Sequence, residues 1–313
     1  MAVSSACAAA RAQQPAMPVI GFLNGGSPSG YASNVNAFHQ GLKEAGYTDG
    51  QNVTIAYRWA NDELDRLPVL ADNLVRLGVS VIVANTPANL IAKAATTAIP
   101  IVFTTGGDPV KLGLVASLDR PGGNVTGATQ LNQELVPKRL ELLHELLPAV
   151  TVIALLINPT DSGFAVTREI ELAARNLGLQ LQVLQASTER DFDEVFASLI
   201  RLRAGGLVIS PGTLFANHSE QLGALTLRHS VPAIFEYREF VAAGGLASYA
   251  GSVTESYRMA GIYSGRILKG EKPGDLPVQR STKVEMYINL KTAKTLGLNV
   301  PNTLIGRADE VIE

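Results

Sequence analysis

The chain holds one cysteine, Cys7, and four histidines, His39, His144, His218 and His229, scattered along its length. A lone cysteine excludes a disulfide framework and any metal site built from thiolates. The histidines show neither HxH nor HxxxH spacing, so they read as surface or packing residues. Charge is sparse and balanced: 17% of residues are charged, the formal net charge is −2, and no basic run occurs. That balance gives no electrostatic reason for a nucleic acid or an anionic membrane as partner. No apolar run reaches the ~18 residues needed to span a bilayer, so no membrane insertion is expected. Signatures of catalysis are missing too, with no G-x-S-x-G elbow, no reactive Cys–His pair and no zinc spacing. The chain reads as a non-enzyme with no cofactor and no metal.

What is there is a globular composition, 46% hydrophobic over 313 residues, long enough for two domains with a core each. Strand and helix patterns alternate nearly throughout, which argues for parallel α/β sheets. Short continuous apolar runs, such as Val152 to Ile157, mark strands buried on both faces. Apolar stripes at helical spacing cover Leu67, Leu70, Leu74 and Leu77; Val136, Leu140, Leu143 and Leu147; Val166, Ile170, Ala173 and Leu177; and Phe192, Val195, Leu199 and Leu202. Gly46, Gly78, Gly178, Gly205 and Gly270 follow helical patterns and read as left-handed caps. Ser252-Val253-Thr254-Glu255 is a capping box that opens a helix through Leu268.

The chain also repeats itself. Ile99-Pro100-Ile101-Val102-Phe103 and Val231-Pro232-Ala233-Ile234-Phe235 are both apolar strands opened by proline. Upstream, at nearly the same spacing, Val19 to Asn24 answers Val152 to Asn158, and Val79 to Thr86 answers Gly206 to Thr213. One strand–helix series used twice predicts two similar lobes, and two facing lobes make a cleft. The turn Pro121-Gly122-Gly123-Asn124 places a candidate hinge near 125–130, and Ala243-Gly244-Gly245 marks a second crossing.

Several loops fall at strand ends. Gly21-Phe22-Leu23-Asn24-Gly25-Gly26-Ser27-Pro28 has neither the lysine of a phosphate-binding loop nor the G-x-G-x-x-G of a dinucleotide site. It remains a loop offering backbone N–H groups and the Ser27 hydroxyl, suited to a carboxylate or serving as a plain turn. Thr104-Thr105-Gly106-Gly107-Asp108-Pro109 follows the first proline strand, and Asp108 either contacts a polar ligand or caps a helix starting at Val110. Glu236-Tyr237 holds the equivalent place after the second proline strand, a carboxylate for an ammonium group and a ring for stacking.

Asp108-Pro109-Val110, Gly113-Leu114-Val115, Arg120 to Gly127, Gly244 to Tyr249 and Ile288 to Ala293 through Ala308 to Ile312 together resemble the TrpX-like substrate-binding proteins of ABC transporters. The resemblance implies an α/β fold of the type I periplasmic-binding-protein kind, two doubly wound parallel-sheet lobes joined by hinge strands. Lobe one would be 18–126 plus 248–283, lobe two 127–247 plus 284–313, with 1–17 a signal-peptide remnant. Some members of the family bind aromatic amino acids. The pocket implied by position takes Asn24, Ser27, Thr86, Thr104 and Asp108 from lobe one, and Asn158, Thr160, Gly212, Thr213 and Glu236 from lobe two. The partners implied are a small-molecule ligand, the ABC permease and, through it, the ATPase, with the binding protein a monomer. The Ala10-Arg11-Ala12 sequence fits a signal-peptidase site, so a periplasmic protein cleaved near Ala12 is expected. Cys7 lacks the preceding leucine of a lipidation site and is read as incidental. A sensory or regulatory module of the same fold is the alternative; an enzyme using Asp108 and Glu236 as paired acids is a third reading.

Overall fold

A computed structural model describes residues 17–61, 63–130, 132–159 and 163–313. The chain runs β1 (Val19–Asn24), α1 (Ala32–Glu44), β2 (Thr54–Trp59), α2 (Leu67–Leu77), β3 (Val81–Asn85), α3 (Ala88–Ala95), β4 (Ile101–Thr105) and β5 (Val125–Thr129). It continues with α4 (Val136–Leu146), β6 (Val152–Ile157), α5 (Gly163–Asn176), β7 (Gln180–Gln185), α6 (Phe192–Arg201), β8 (Gly206–Ile209), α7 (Thr213–Asn217), α8 (Ser219–Arg228), β9 (Ala233–Phe235), α9 (Arg238–Ala242) and β10 (Ala247–Gly251). The last part is α10 (Val253–Leu268), β11 (Gln279–Arg280), β12 (Val284–Asn289), α11 (Leu290–Thr295), α12 (Asn302–Ile305) and β13 (Glu310–Ile312).

These strands form two sheets, β11-β5-β4-β3-β1-β2 and β13-β12-β10-β9-β8-β6-β7. Within them the repeated segments take equivalent places: β2-β1-β3-β4-β5 in the first sheet matches β7-β6-β8-β9-β10 in the second. The two proline strands, β4 and β9, are therefore counterparts. Among the described strands, every pairing is parallel except β10 with β12. Each sheet is buried on both faces, as its continuous apolar strands require. Ile20, Phe22, Val81 and Val83 pack on one face of the first sheet, and Leu23, Ile82, Ala84 and Phe103 on the other. In the second, Leu155, Val208 and Ile234 face α4, whereas Leu156, Ile209 and Phe235 face α6 and α8.

Helix stripes mostly pack where their spacing places them. Val136, Leu140, Leu143 and Leu147 are all buried, whereas Leu77 and Leu202, at helix ends, are exposed. Gly46, Gly78, Gly178 and Gly270 have positive φ, as caps need. Gly205 does not. The left-handed residue of that turn is Arg203, and a Cβ on Gly205 would lie 2.6 Å from Val150 Cγ1, so packing, not conformation, excludes a side chain there. Ser252 Oγ does accept the Glu255 N–H at the start of α10, but the Glu255 carboxylate turns to Arg258 instead of closing the box.

The chain passes between the sheets three times. It leaves the first after β5, returns after β10 into α10, which packs on α1, and leaves again after β11. The expected boundary at 126–127 falls inside β5, which belongs whole to the first sheet, and that at 247–248 falls at the start of β10, which belongs whole to the second. The crossings lie side by side, joined by hydrogen bonds from Ser281 N–H to Thr129 O, from Ser252 N–H to Lys283 O and from Gly251 N–H to Asn132 Oδ1.

Candidate functional site

The carboxyl ends of β1 and β4 in one lobe and of β6, β8 and β9 in the other carry the buried polar residues Asn24, Thr104, Thr105, Asn158, Ser210 and Glu236, and β3 ends on the half-buried Asn85. Parallel packing ends at these points, so the first residue after each strand can turn a polar group into the gap, the usual location of sites in open α/β sheets.

In the first lobe Asn24 is completely buried. Its Oδ1 accepts the Gly26 N–H at 2.8 Å, and its Nδ2 donates to the Tyr257 hydroxyl at 3.3 Å. Thr104, buried at the end of β4, lies near the same phenol. Gly26 is glycine for a visible reason, since a Cβ there would lie 2.5 Å from Cε2 of Tyr31. The Tyr31 hydroxyl accepts from Asn85 Nδ2 at 3.1 Å, and its ring meets Trp59 and Tyr257. Thr86 Oγ1 donates to Thr105 Oγ1 at 2.9 Å and accepts from Asn89 Nδ2 at 3.0 Å. A wall of three aromatic rings, Tyr31, Trp59 and Tyr257, thus stands over a floor of amides and hydroxyls.

In the second lobe Asn158 is buried at the end of β6, Ser210 at the end of β8, and Glu236 at the end of β9. Gly212 precedes α7, and Thr213 is its first residue. Thr160 lies outside the described residues. Glu236 is paired with Arg139 of α4, Nη2 to Oε2 3.6 Å, and both side chains are buried. Burial lowers the Arg139 pKa, and the Glu236 carboxylate opposes that shift. Tyr237, next along, is the group that looks across: burial first, then Glu236, then Tyr31 and Tyr257 of the first lobe raise its phenol well above the ordinary range. Burial does the same to Tyr257, with Tyr31 adding to it. Both phenols stay neutral at physiological pH, able both to donate and to accept.

Two expected site residues are engaged locally. Asp108 Oδ1 accepts the Val110 and Lys111 N–H groups at 2.9 and 3.2 Å, so it caps this segment, which is a turn and not the expected helix. Ser27 Oγ accepts the Gly30 N–H and meets Ser29 Oγ, closing its own loop. Asn24, Thr86 and Thr104 lie together, and Glu236 and Tyr237 lie opposite. Sequence reasoning missed Tyr31, Trp59, Tyr257 and Arg139. Trp59 carried a weak signal, alternating with Tyr57 along β2; Tyr257 and Arg139 carried none, because their places depend on the crossings. Among the described residues, no group of three or more His, Cys, Asp or Glu side chains could hold a metal ion.

Residues 19–312 match the family model for ABC transporter substrate binding protein. The chain belongs to that family. It is 28% identical over 264 residues to a tyrosine-binding protein of Clostridioides difficile, covering 83% of this chain and 75% of that one. Among solved structures it resembles an ABC domain in complex with L-Trp from Streptococcus pneumonia, with a TM-score of 0.86 and 25% identity over 94% of this chain and 99% of that chain. A ligand-free, open substrate-binding protein from Clostridium difficile gives a TM-score of 0.72 at the same identity and coverage. The family is one of substrate-binding proteins, and no helix among the described residues is long and apolar enough to cross a membrane.

Proposed function

We propose that this substrate-binding protein takes an aromatic amino acid, of the tyrosine or tryptophan kind, between its two lobes and hands it to an ABC permease. The observation that carries the reading is the convergence of Tyr31 and Tyr257 from one lobe with Tyr237 from the other, beside Glu236. Aromatic rings on both sides of a gap suit a planar apolar ligand, which edge and stacked contacts favour by ~0.5–1.5 kcal/mol each beyond its burial. Asn24, Thr86 and Thr104 on one side and Asn158 and Gly212 on the other supply polar groups for the amino-acid end, with Glu236 nearest in charge to an ammonium; Thr160, outside the described residues, and Thr213 are proposed as further contacts. Ser27 and Asp108 stand at the rim, where their loops shape the entrance.

The mechanism is closure. The crossings bend, the lobes meet around the ligand, and the ligand stabilises the closed form because it touches both lobes only there. The arrangement described is a closed one on this reading, supported by its better superposition on the L-Trp complex than on the open, ligand-free protein. The closed form then docks on the permease, and the ATPase acts beyond it. The work takes place outside the cytoplasmic membrane, in the periplasm, as a monomer. Residues 1–16, where the export signal and its cleavage near Ala12 are proposed, lie outside the described residues. Titration of protein stripped of endogenous ligand with L-tyrosine and L-tryptophan tests the reading: thermal stabilisation growing with concentration supports it, and a flat response to both refutes the ligand class.

A further inference from the structure

Arg139 is completely buried and none of the expected ligand contacts involves it. Its fork is nonetheless spread over three places. Nε donates to Tyr249 O at 2.7 Å, Nη1 to Asn132 O at 3.3 Å, and Nη2 faces Glu236 Oε2 at 3.6 Å. Tyr249 lies on β10 just before the second crossing, Asn132 lies in the first, and Glu236 follows β9 at the site.

The register explains why the guanidinium stands there. β9 pairs with β10 through Ile234↔Ala247 and Phe235↔Ser248, and the ladder then stops. The next rung would join Glu236 to Tyr249. The chain turns away at Glu236 instead, and the Arg139 fork bridges the opened rung, holding Tyr249 by its carbonyl and Glu236 by its carboxylate. Asn132 closes the circuit, because its Oδ1 accepts the Gly251 N–H at 2.9 Å while its own carbonyl is held by Arg139. At Gly251 the crossings touch so closely that a Cβ would lie 2.8 Å from Gln130 O.

We infer that Arg139 is a positioning residue which couples the state of Glu236 in the site to the first two crossings, so that ligand engagement and hinge geometry are set by one guanidinium. The inference rests on the proposed ligand reading for its in-function consequence, but its structural part stands without a ligand. Only a planar fork with donors in fixed directions reaches two carbonyls and a carboxylate at once. A lysine keeps the charge, and so compensates the buried carboxylate, but offers one ammonium to three partners.

Arg139→Lys is therefore the test, read in two ways. In ligand-free protein, amide exchange at Gly251 should rise about tenfold or more, with β1 and α1 amides unchanged. With L-tyrosine and L-tryptophan as probes, affinity should fall about tenfold or more, and the fall in radius of gyration that wild type shows at saturation should be incomplete. A purely structural role would lower thermal stability while leaving the contraction at saturation complete. Wild-type-like exchange at Gly251, or affinity within about twofold of wild type with full contraction, overturns the inference. Should wild type bind neither probe, the ligand reading fails, and the exchange at Gly251 alone decides on Arg139.

Discussion

Asn24 Nδ2 lies 3.3 Å from the Tyr257 hydroxyl, although 233 residues separate the two in sequence. The contact joins the first strand of the chain to a helix that enters the first lobe only after the second crossing, so the site is assembled by the return of the chain. Tyr257→Phe removes the phenol oxygen that accepts from Asn24 Nδ2 and leaves a buried amide N–H unsatisfied. A loss of about 1–3 kcal/mol in stability by urea unfolding is expected, together with weaker binding of the aromatic probes.

Glycines hold that helix in place. A Cβ on Gly41 would lie 1.8 Å from Arg258 O, and one on Gly261 2.2 Å from Phe38 O, so α1 and α10 touch backbone to backbone. Gly41→Ala pushes α10 outward and takes Tyr257 with it. Destabilisation of ~1–3 kcal/mol or more follows from overpacking, and ligand affinity should fall although residue 41 is far from the strand-end loops. Calorimetric unfolding with a parallel ligand titration checks both effects.

The buried Arg139–Glu236 pair gives a third expectation. Arg139→Met strands a buried carboxylate and should cost ~3–5 kcal/mol, whereas Arg139→Met with Glu236→Met removes both charges and should cost less than the single change. A double-mutant cycle by urea unfolding reads the coupling directly.

Tyrosine burial sets the alkaline limb of stability. Burial, with Asp49 adding to it, pushes Tyr57 up to about 12, and Tyr237 and Tyr257 are raised by burial as well. An unfolded phenol ionises near 10, so above that pH the unfolded chain gives up protons that the folded chain keeps, and stability must fall. Folding free energy should be insensitive to these groups below pH ~10 and drop steadily from there through pH ~12. Absorbance titration of the phenolates against melting temperature measures the window; titration of all eight tyrosines near pH ~10 in the folded protein would contradict it.

Much of the fold was legible because burial on both faces of a parallel strand leaves an unbroken apolar run. Val152 to Ile157 and the two proline strands therefore announced themselves, and their repetition gave two lobes of equal strand order. The site was half legible. Residues that end a strand, such as Asn24, Thr104 and Glu236, inherit their place from local order, and the sequence locates them. Tyr257 and Arg139 depend on where helices pack after a crossing, a long-range fact that no short pattern encodes. Asp108 shows how one strand-end carboxylate carries two readings: of ligand contact and local cap, the cap is visible, its Oδ1 accepting the two N–H groups just after it.

On the proposed reading, Tyr31 and Tyr257 on one side and Tyr237 and Glu236 on the other close on one aromatic amino acid. Isothermal titration of ligand-stripped protein with L-tyrosine and L-tryptophan, run beside Tyr237→Ala and Tyr257→Phe, addresses it most directly. Saturable one-to-one binding of at least one of them, weakened by both substitutions, is expected. No binding of either amino acid by wild type, or equal binding by all three proteins, would contradict it.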